Sequence, residues 1–263
     1  MSNISNKKDF QIIKEGITYP KGIKAAGIKS GIRFNRKDLA LIYSEKIANG
    51  CGMFTTNKFK AAPLIVTEKN LYLSKGKLQA ILINSGVANA CTGEKGLQDA
   101  WETVSYVSDG LKIHKEYIAV TSTGKIGEFL PLDKIKTGVK EAITELSIKG
   151  GTEAAEAILT TDIKKKEIAV SFELDGQEVR IGAMAKGSGM IHPNMATMLG
   201  FIASDISTYS YVNIMSQYRP QGEAYQDSGI NRCPTGEEYL QVIQLARKLG
   251  LSRGFQHKHL NRL

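Results

Sequence analysis

One stretch restricts this chain more than any other: a strong hairpin signal that feeds directly into a turn rich in glycine. Glu167-Ile-Ala-Val-Ser-Phe-Glu-Leu174 alternates apolar and polar residues, Asp175-Gly176 supplies a two-residue turn, and Val179-Arg-Ile-Gly-Ala183 returns. Alternation of period two around Asp-Gly specifies an antiparallel pair. The return strand runs into Lys186-Gly-Ser-Gly-Met-Ile-His-Pro-Asn-Met-Ala-Thr-Met-Leu-Gly200. There the glycines permit positive φ and close approach. Pro193 fixes its own φ and pushes His192 toward extended backbone. A tight turn before the small pair Ala196-Thr197 suits an intramolecular acyl shift, in which the Thr197 hydroxyl attacks the Ala196 carbonyl and the chain is cut. Thr197 would then carry an α-amine beside its hydroxyl, the arrangement in which the amine serves as base for the nucleophile. The plainer reading is a glycine-rich turn entering a buried strand, and the local pattern alone favours it.

The rest of the chain reads as mixed α/β. Residues 10–36 are rich in Gly and Lys and read as loop with short extended pieces. Leu39–Ser44, Gly52–Thr56, Leu64–Thr67, Gln79–Ile83 and Tyr117–Val120 read as strands, the third and fourth buried on both faces. A helix over 94–109 follows from Leu97, Ala100, Trp101, Val104 and Val107, with Gly110 as its stop. A second, over 132–147, carries Ile135, Val139, Ile143 and Leu146 on one face and ends at Gly150-Gly151. Thr152 reads as the cap of a short third helix ending near Leu159-Thr-Thr-Asp162, with Glu153 in its first turn.

At 263 residues the chain can form one large domain or two modest ones. No apolar run is long enough to span a bilayer, and the N-terminal residues lack an apolar signal core, so a cytoplasmic, non-membrane protein is expected. Cys51, Cys91 and Cys233 are scattered without a CxxC pair, which argues for reduced thiols and against a zinc site. The net charge of +9 comes from dispersed lysines, with Lys164-Lys165-Lys166 the one tight cluster and no interleaved aromatic stripe. That pattern reads as solvated surface and not as a nucleic-acid interface.

Ordered along residues 17–207 are Thr18-Tyr-Pro-Lys-Gly22, Ala25-Ala-Gly-Ile-Lys29, Phe54-Thr-Thr-Asn57, Asn84-Ser-Gly86, Ala88-Asn-Ala-Cys-Thr-Gly93, Ser122-Thr-Gly124, Thr160-Thr-Asp162 and the stretch from Lys186 to Gly200. With these motifs the chain resembles the ornithine acetyltransferase (glutamate N-acetyltransferase) family of arginine biosynthesis. One departure is Val87, where that family usually has asparagine; the change alters loop packing or removes a hydrogen bond. The resemblance implies an α/β fold, a layered sandwich of stacked β-sheets with outer helices. It implies self-cleavage between Ala196 and Thr197, giving an α chain over 1–196 and the start of a β chain at 197. Thr197 would take acetyl from N-acetylornithine, and glutamate would accept it from the acetyl-threonyl enzyme. Thr123 (side chain) and Gly124 (backbone N–H) match the oxyanion donors, and Thr160, Lys186 and Thr197 the substrate contacts. No cofactor or metal is implied, although acetyl-CoA serves as donor in some members. His192 reads as structural, since the Thr197 amine already fills the role of base. Family members assemble their two chains into higher oligomers.

Read by themselves, Ser122-Thr-Gly124 is a common turn, Thr160-Thr161 a helix end and Lys186 a surface lysine. The family pattern stops near Ser207, which sets a domain of 1–207 against a tail of 208–263. The tail carries one good helix, with the capping box Thr235-x-x-Glu238 after Pro234 and an apolar face of Tyr239, Ile243, Ala246 and Leu249. From Tyr211 onward it resembles the C-terminal end of radical SAM activating proteins, without the cysteine triad of that class. The chain is therefore expected to be truncated relative to the family. The alternative to an acetyltransferase is a non-catalytic remnant lacking most of the β chain.

Overall fold

The computed structural model describes residues 10–215 apart from 56, 175–176, 188–197 and 206–209. The helix expected over residues 235–249, Cys233 and the rest of the tail lie outside them. Among the described residues there are nine strands, in the order β1-β6-β7-β8-β9-β3-β4-β5, with β2 hydrogen-bonded to β3. Their ranges are β1 Phe10–Ile13, β2 Ile23–Ile28, β3 Leu39–Gly52, β4 Lys77–Val87, β5 Ile118–Lys125, β6 Lys166–Leu174, β7 Gln177–Lys186, β8 Leu199–Asp205 and β9 Ser210–Met215. The described residues also form the α-helices α1 Ala62–Leu73, α2 Gly93–Leu111, α3 Leu132–Thr144 and α4 Gly151–Ala157.

The long strand β3 joins two arms of this path. Its first half pairs with β2 and β4; the register then shifts between Tyr43 and Ala48, and Asn49–Gly52 pairs parallel with β9. Such a register shift bends and twists a strand, so the path folds over and the two arms become stacked sheets. Alternation along the first arm shows the layers. Ala26, Ile28, Leu39, Leu41, Ala80, Leu82, Ile118 and Val120 face one apolar cluster, closed by α1, α2 and α3. Their neighbours Ile23, Ala25, Ala40, Ile42, Ile81, Ile83 and Ala119 face a second cluster, shared with α4 and with Met184, Phe201 and Ala203 of the other arm. A strand buried on both faces reads as a continuous apolar run, and Gln79–Ile83 is such a strand. The fold class is α/β, with stacked sheets and flanking helices.

Strands β4 and β5 are parallel, from Ala80↔Ile118 to Val87↔Lys125, and α2 is their crossover. At the free edge of β5, α1 replaces a neighbouring strand. The buried Thr67 hydroxyl donates to the Val120 carbonyl at 2.7 Å and accepts from the Val120 N–H at 2.8 Å. The Asn70 amide donates to the carbonyls of Lys115 and Ile118 at 2.9 and 2.8 Å. Covering an edge in this way removes a template for unwanted pairing.

Several local expectations change. Leu64–Thr67 is helical, inside α1: Pro63 near the helix start presets φ, and Ala62, Val66, Thr67 and Asn70 form its buried stripe. A four-residue run is too short to show that spacing. The strand expected at Gly52–Thr56 ends at Gly52. Gly110 lies within α2, where a Cβ would stand 2.3 Å from Ile143 Cδ1; the helix ends instead at Lys112, in left-handed conformation at φ 58°. Gly150, not Thr152, stands at the N-cap of α4, and a Cβ there would stand 1.9 Å from the Ala25 carbonyl oxygen. Gly150-Gly151 thus opens α4, and α3 already stops at Thr144. The short extended pieces expected within 10–36 are β1 and β2, and β2 is almost wholly buried beside β3. No helix of the described residues is long and apolar enough to cross a membrane. Cys51 and Cys91 are both exposed and are not joined to each other.

Candidate functional site

The inner layer between the two arms is apolar for most of its length and turns polar at one end. On β5 the inward row runs Ala119, Thr121, Thr123; on β4 it runs Ile81, Ile83, Ser85; on β7, Met184 is followed two residues later by Lys186. Side chains two apart share a face, so the alternation that buries Met184 also carries Lys186 inside. Lys186 is 2% exposed, among the largest fully buried side chains, and Thr123 is wholly buried. The surface-lysine reading of Lys186 is thereby corrected.

Lys186 Nζ donates to Thr123 Oγ1 at 3.1 Å and to Thr160 Oγ1 at 2.6 Å. Three of the residues singled out from sequence thus meet at one ammonium group. Gly124 follows Thr123 at φ +137°, a region that favours glycine. It pairs with Gly86 across the parallel register, and a Cβ on Gly124 would lie 2.2 Å from Gly86 C. Residues 123–124 therefore depend on two glycines in adjacent strands.

Two further residues complete the cluster. Asp162, whose side chain is fully buried, accepts from Lys166 Nζ at 2.6 Å and from the Gly187 N–H at 2.8 Å through Oδ1. Its Oδ2 lies 3.9 Å from Lys186 Nζ. Arg33 reaches across from the β2–β3 loop. Its Nη1 donates to the Leu159 carbonyl at 2.5 Å and its Nη2 to the Thr160 carbonyl at 3.4 Å, fixing the chain beyond α4. The Arg33 loop is held by Asp38, whose carboxylate accepts the N–H groups of Ser30 and Arg33, each at 2.7 Å. Ser85 Oγ ties β4 to α4 through the Ala157 carbonyl at 2.7 Å.

Burial pushes the Lys186 ammonium below its ordinary value; Asp162 opposes that fall, and the nearby cations Lys166 and Arg33 add to it. For Asp162, burial works upward. The hydrogen bonds from Lys166 and Gly187, with the charges of Lys166 and Lys186, outweigh it and hold the carboxyl below its usual range.

Val87 is buried in the helix-side cluster, so its apolar side chain serves packing. Its carbonyl accepts from the Asn84 amide at 2.8 Å, and Asn84 in turn accepts from the Ser122 hydroxyl at 2.6 Å. Ala196 and Thr197 lie outside the described residues, as does His192. The ends of that segment are described: Lys186 and Leu199 are register partners, and a Cβ on Gly187 would stand 3.4 Å from Met198 Cγ. Met198 is the residue bonded to Thr197. Arg33 and Asp162 are not among the site residues expected from sequence. Asp162 stands within a quoted motif, whereas Arg33 carries no local signal.

A model of the ArgJ family matches residues 24–219. The match runs beyond Ser207 and takes in β9. The arginine biosynthesis bifunctional protein ArgJ of Staphylococcus aureus strain Mu50 is 53% identical over 207 residues, which are 78% of this chain and 50% of that protein. The protein of the same name from Caldanaerobacter subterraneus subsp. tengcongensis is 50% identical over 198 residues, 75% of this chain and 49% of its own length. The chain spans about half the length of the curated relatives it matches. Among solved structures, ArgJ from Bacillus halodurans aligns with a TM-score of 0.66 at 43% identity, covering 71% of this chain and 98% of that one. Ornithine acetyltransferase from Mycobacterium tuberculosis, solved with ornithine, aligns with a TM-score of 0.64 at 39% identity, covering 72% of this chain and 99% of that one.

Proposed function

Because this chain belongs to the ArgJ family, we propose that it supplies the nucleophile half of a glutamate N-acetyltransferase acting in arginine biosynthesis. One observation carries the reading: a buried lysine donates to the two threonines expected at the oxyanion and at the substrate, beside the strand ends that lead to Thr197. The solved relatives' chains are covered almost completely while the curated relatives are covered by half. That difference fits a protein made as one polypeptide and cut in two.

The chemistry follows in balanced steps. The Thr197 hydroxyl attacks the Ala196 carbonyl; collapse of the intermediate expels the Thr197 amine, and water hydrolyses the resulting ester to leave a free Thr197. Its α-amine, with a reference pKa near ~8, is in part unprotonated at neutral pH and accepts the hydroxyl proton. The hydroxyl then attacks the acetyl carbonyl of N-acetylornithine. The Thr123 hydroxyl accepts a hydrogen bond from Lys186, which leaves its own proton to donate to the oxyanion beside the Gly124 N–H. One such donor is worth roughly 3 kcal/mol. Ornithine leaves with a proton, and the amine of glutamate attacks the acetyl ester to give N-acetylglutamate and restore Thr197. Lys186 and Thr160 orient substrate, the lysine through a substrate carboxylate. The ornithine in the mycobacterial structure supports this substrate class. No cofactor enters these steps; acetyl-CoA would be an alternative donor at the same threonine. The two chains would assemble into a higher oligomer.

The test is an N-terminal sequence of the purified chain. The expected result is two fragments, the second beginning Thr-Met-Leu-Gly. A single uncut polypeptide would overturn the reading in favour of a non-catalytic remnant.

A further inference from the structure

The acidic residue beside this cluster has no assigned part in the reaction, and its geometry gives it one. Lys186 and Asp162 have side-chain exposures of 2% and 0%. Two of the three N–H bonds of the ammonium go to Thr123 and Thr160. Their hydroxyls are neutral and cannot offset a buried charge, which is costly unless paired. Among the described residues, the charged groups that act on Lys186 are the cations Lys166 and Arg33 and one carboxylate, Asp162. Asp162 Oδ1 is occupied by Lys166 and by the N–H of Gly187, the residue that follows Lys186. Oδ2 is buried and has no hydrogen-bond partner among the described residues. At 3.9 Å it is too far from Lys186 Nζ for a hydrogen bond yet close enough for strong attraction.

We propose that Asp162 is the positioning residue of this site: its carboxylate anchors the backbone at Gly187 and holds Lys186 as an ammonium ion whose third N–H stays available to a substrate carboxylate. The use of that N–H rests on the acetyl-transfer reading; the charge state of Lys186 does not. Lys166 is the opposing element. Its half-exposed ammonium shares the same carboxylate and repels Lys186. The two neighbours therefore act on Lys186 with opposite sign.

The test follows the Lys186 ammonium directly, without turnover. The full chain is labelled with 13C-lysine, the Lys186 Cε signal is assigned by its loss in Lys186→Met, and its titration midpoint is measured by NMR. Asp162→Asn should lower the midpoint by about 1 to 3 pH units, the usual effect of one close opposite charge. Lys166→Met should raise it, because a like charge is removed and the carboxylate is left to Lys186. A midpoint in Asp162→Asn equal to that of the native chain overturns the proposal, as does a midpoint in Lys166→Met that falls or stays. If Asp162→Asn does not fold, the Lys166→Met titration decides, since that side chain is half exposed. A chain that is not cut before Thr197 can still show both shifts, so failure of the acetyl-transfer reading is read separately.

Discussion

Thr197→Ala should leave a single uncut chain and abolish acetyl transfer from N-acetylornithine to glutamate. Without the hydroxyl there is no attack on the Ala196 carbonyl, so the α-amine that would serve as base is never released. Nucleophile and base disappear together. Losing a group of this kind costs on the order of 10⁴-fold or more in rate. The measurement pairs a denaturing gel with a transfer assay and a melting curve. Transfer by the variant at a rate near that of the unchanged chain would exclude Thr197 as the acetyl carrier.

Gly124→Ala should be the most destabilising single-methyl change at the site. The residue sits at φ +137°, and the new Cβ would stand 2.2 Å from Gly86 C, 2.4 Å from Gly86 O and 2.7 Å from Val87 N. These are backbone atoms of the paired strand and cannot swing aside. Strain at such a φ, with forced separation of β4 and β5, is expected to cost roughly 2 to 6 kcal/mol. For a chain of this size that is a fall of about 5 to 20 °C in Tm. Gly127→Ala is the control. It also has positive φ, +80°, but a Cβ there meets nothing within 4 Å. It should cost only the backbone strain, about 1 to 2 kcal/mol. Equal melting temperatures for the two variants would show that the close approach of Gly86 and Gly124 does not matter to stability.

Sequence and structure agree best where one periodicity acts over many residues. The hairpin of β6 and β7 was legible because alternation and the Asp-Gly turn point the same way. Helix α2 was legible from Ala100, Val104 and Val107, all buried. Leu64–Thr67 misled because three apolar residues and a threonine fit either period; the buried Thr67 and Asn70 that settle the matter are polar side chains meeting the β5 edge. Gly110 and Gly150 looked like helix stops, yet each is a glycine because another element packs against it. That reason lies in tertiary contact and leaves no local trace. Within the site, Thr123, Gly124, Thr160 and Lys186 were legible only through family motifs, and the structure adds that Lys186 joins the two threonines. The burial of Lys186 could have been read from the hairpin, since it shares parity with Met184. Arg33 could not, because its partners at Leu159 and Thr160 lie more than a hundred residues away.

Thr197 is proposed to carry the acetyl group between two amino acids. That role is tested most directly by incubating the chain with N-acetylornithine in the absence of glutamate and locating the acetyl group by tandem mass spectrometry. The expected result is one acetyl ester on the peptide that begins at Thr197, formed together with free ornithine and removed when glutamate is added. Acetyl found on another residue, or no acetyl on a chain that has been cut before Thr197, would contradict it.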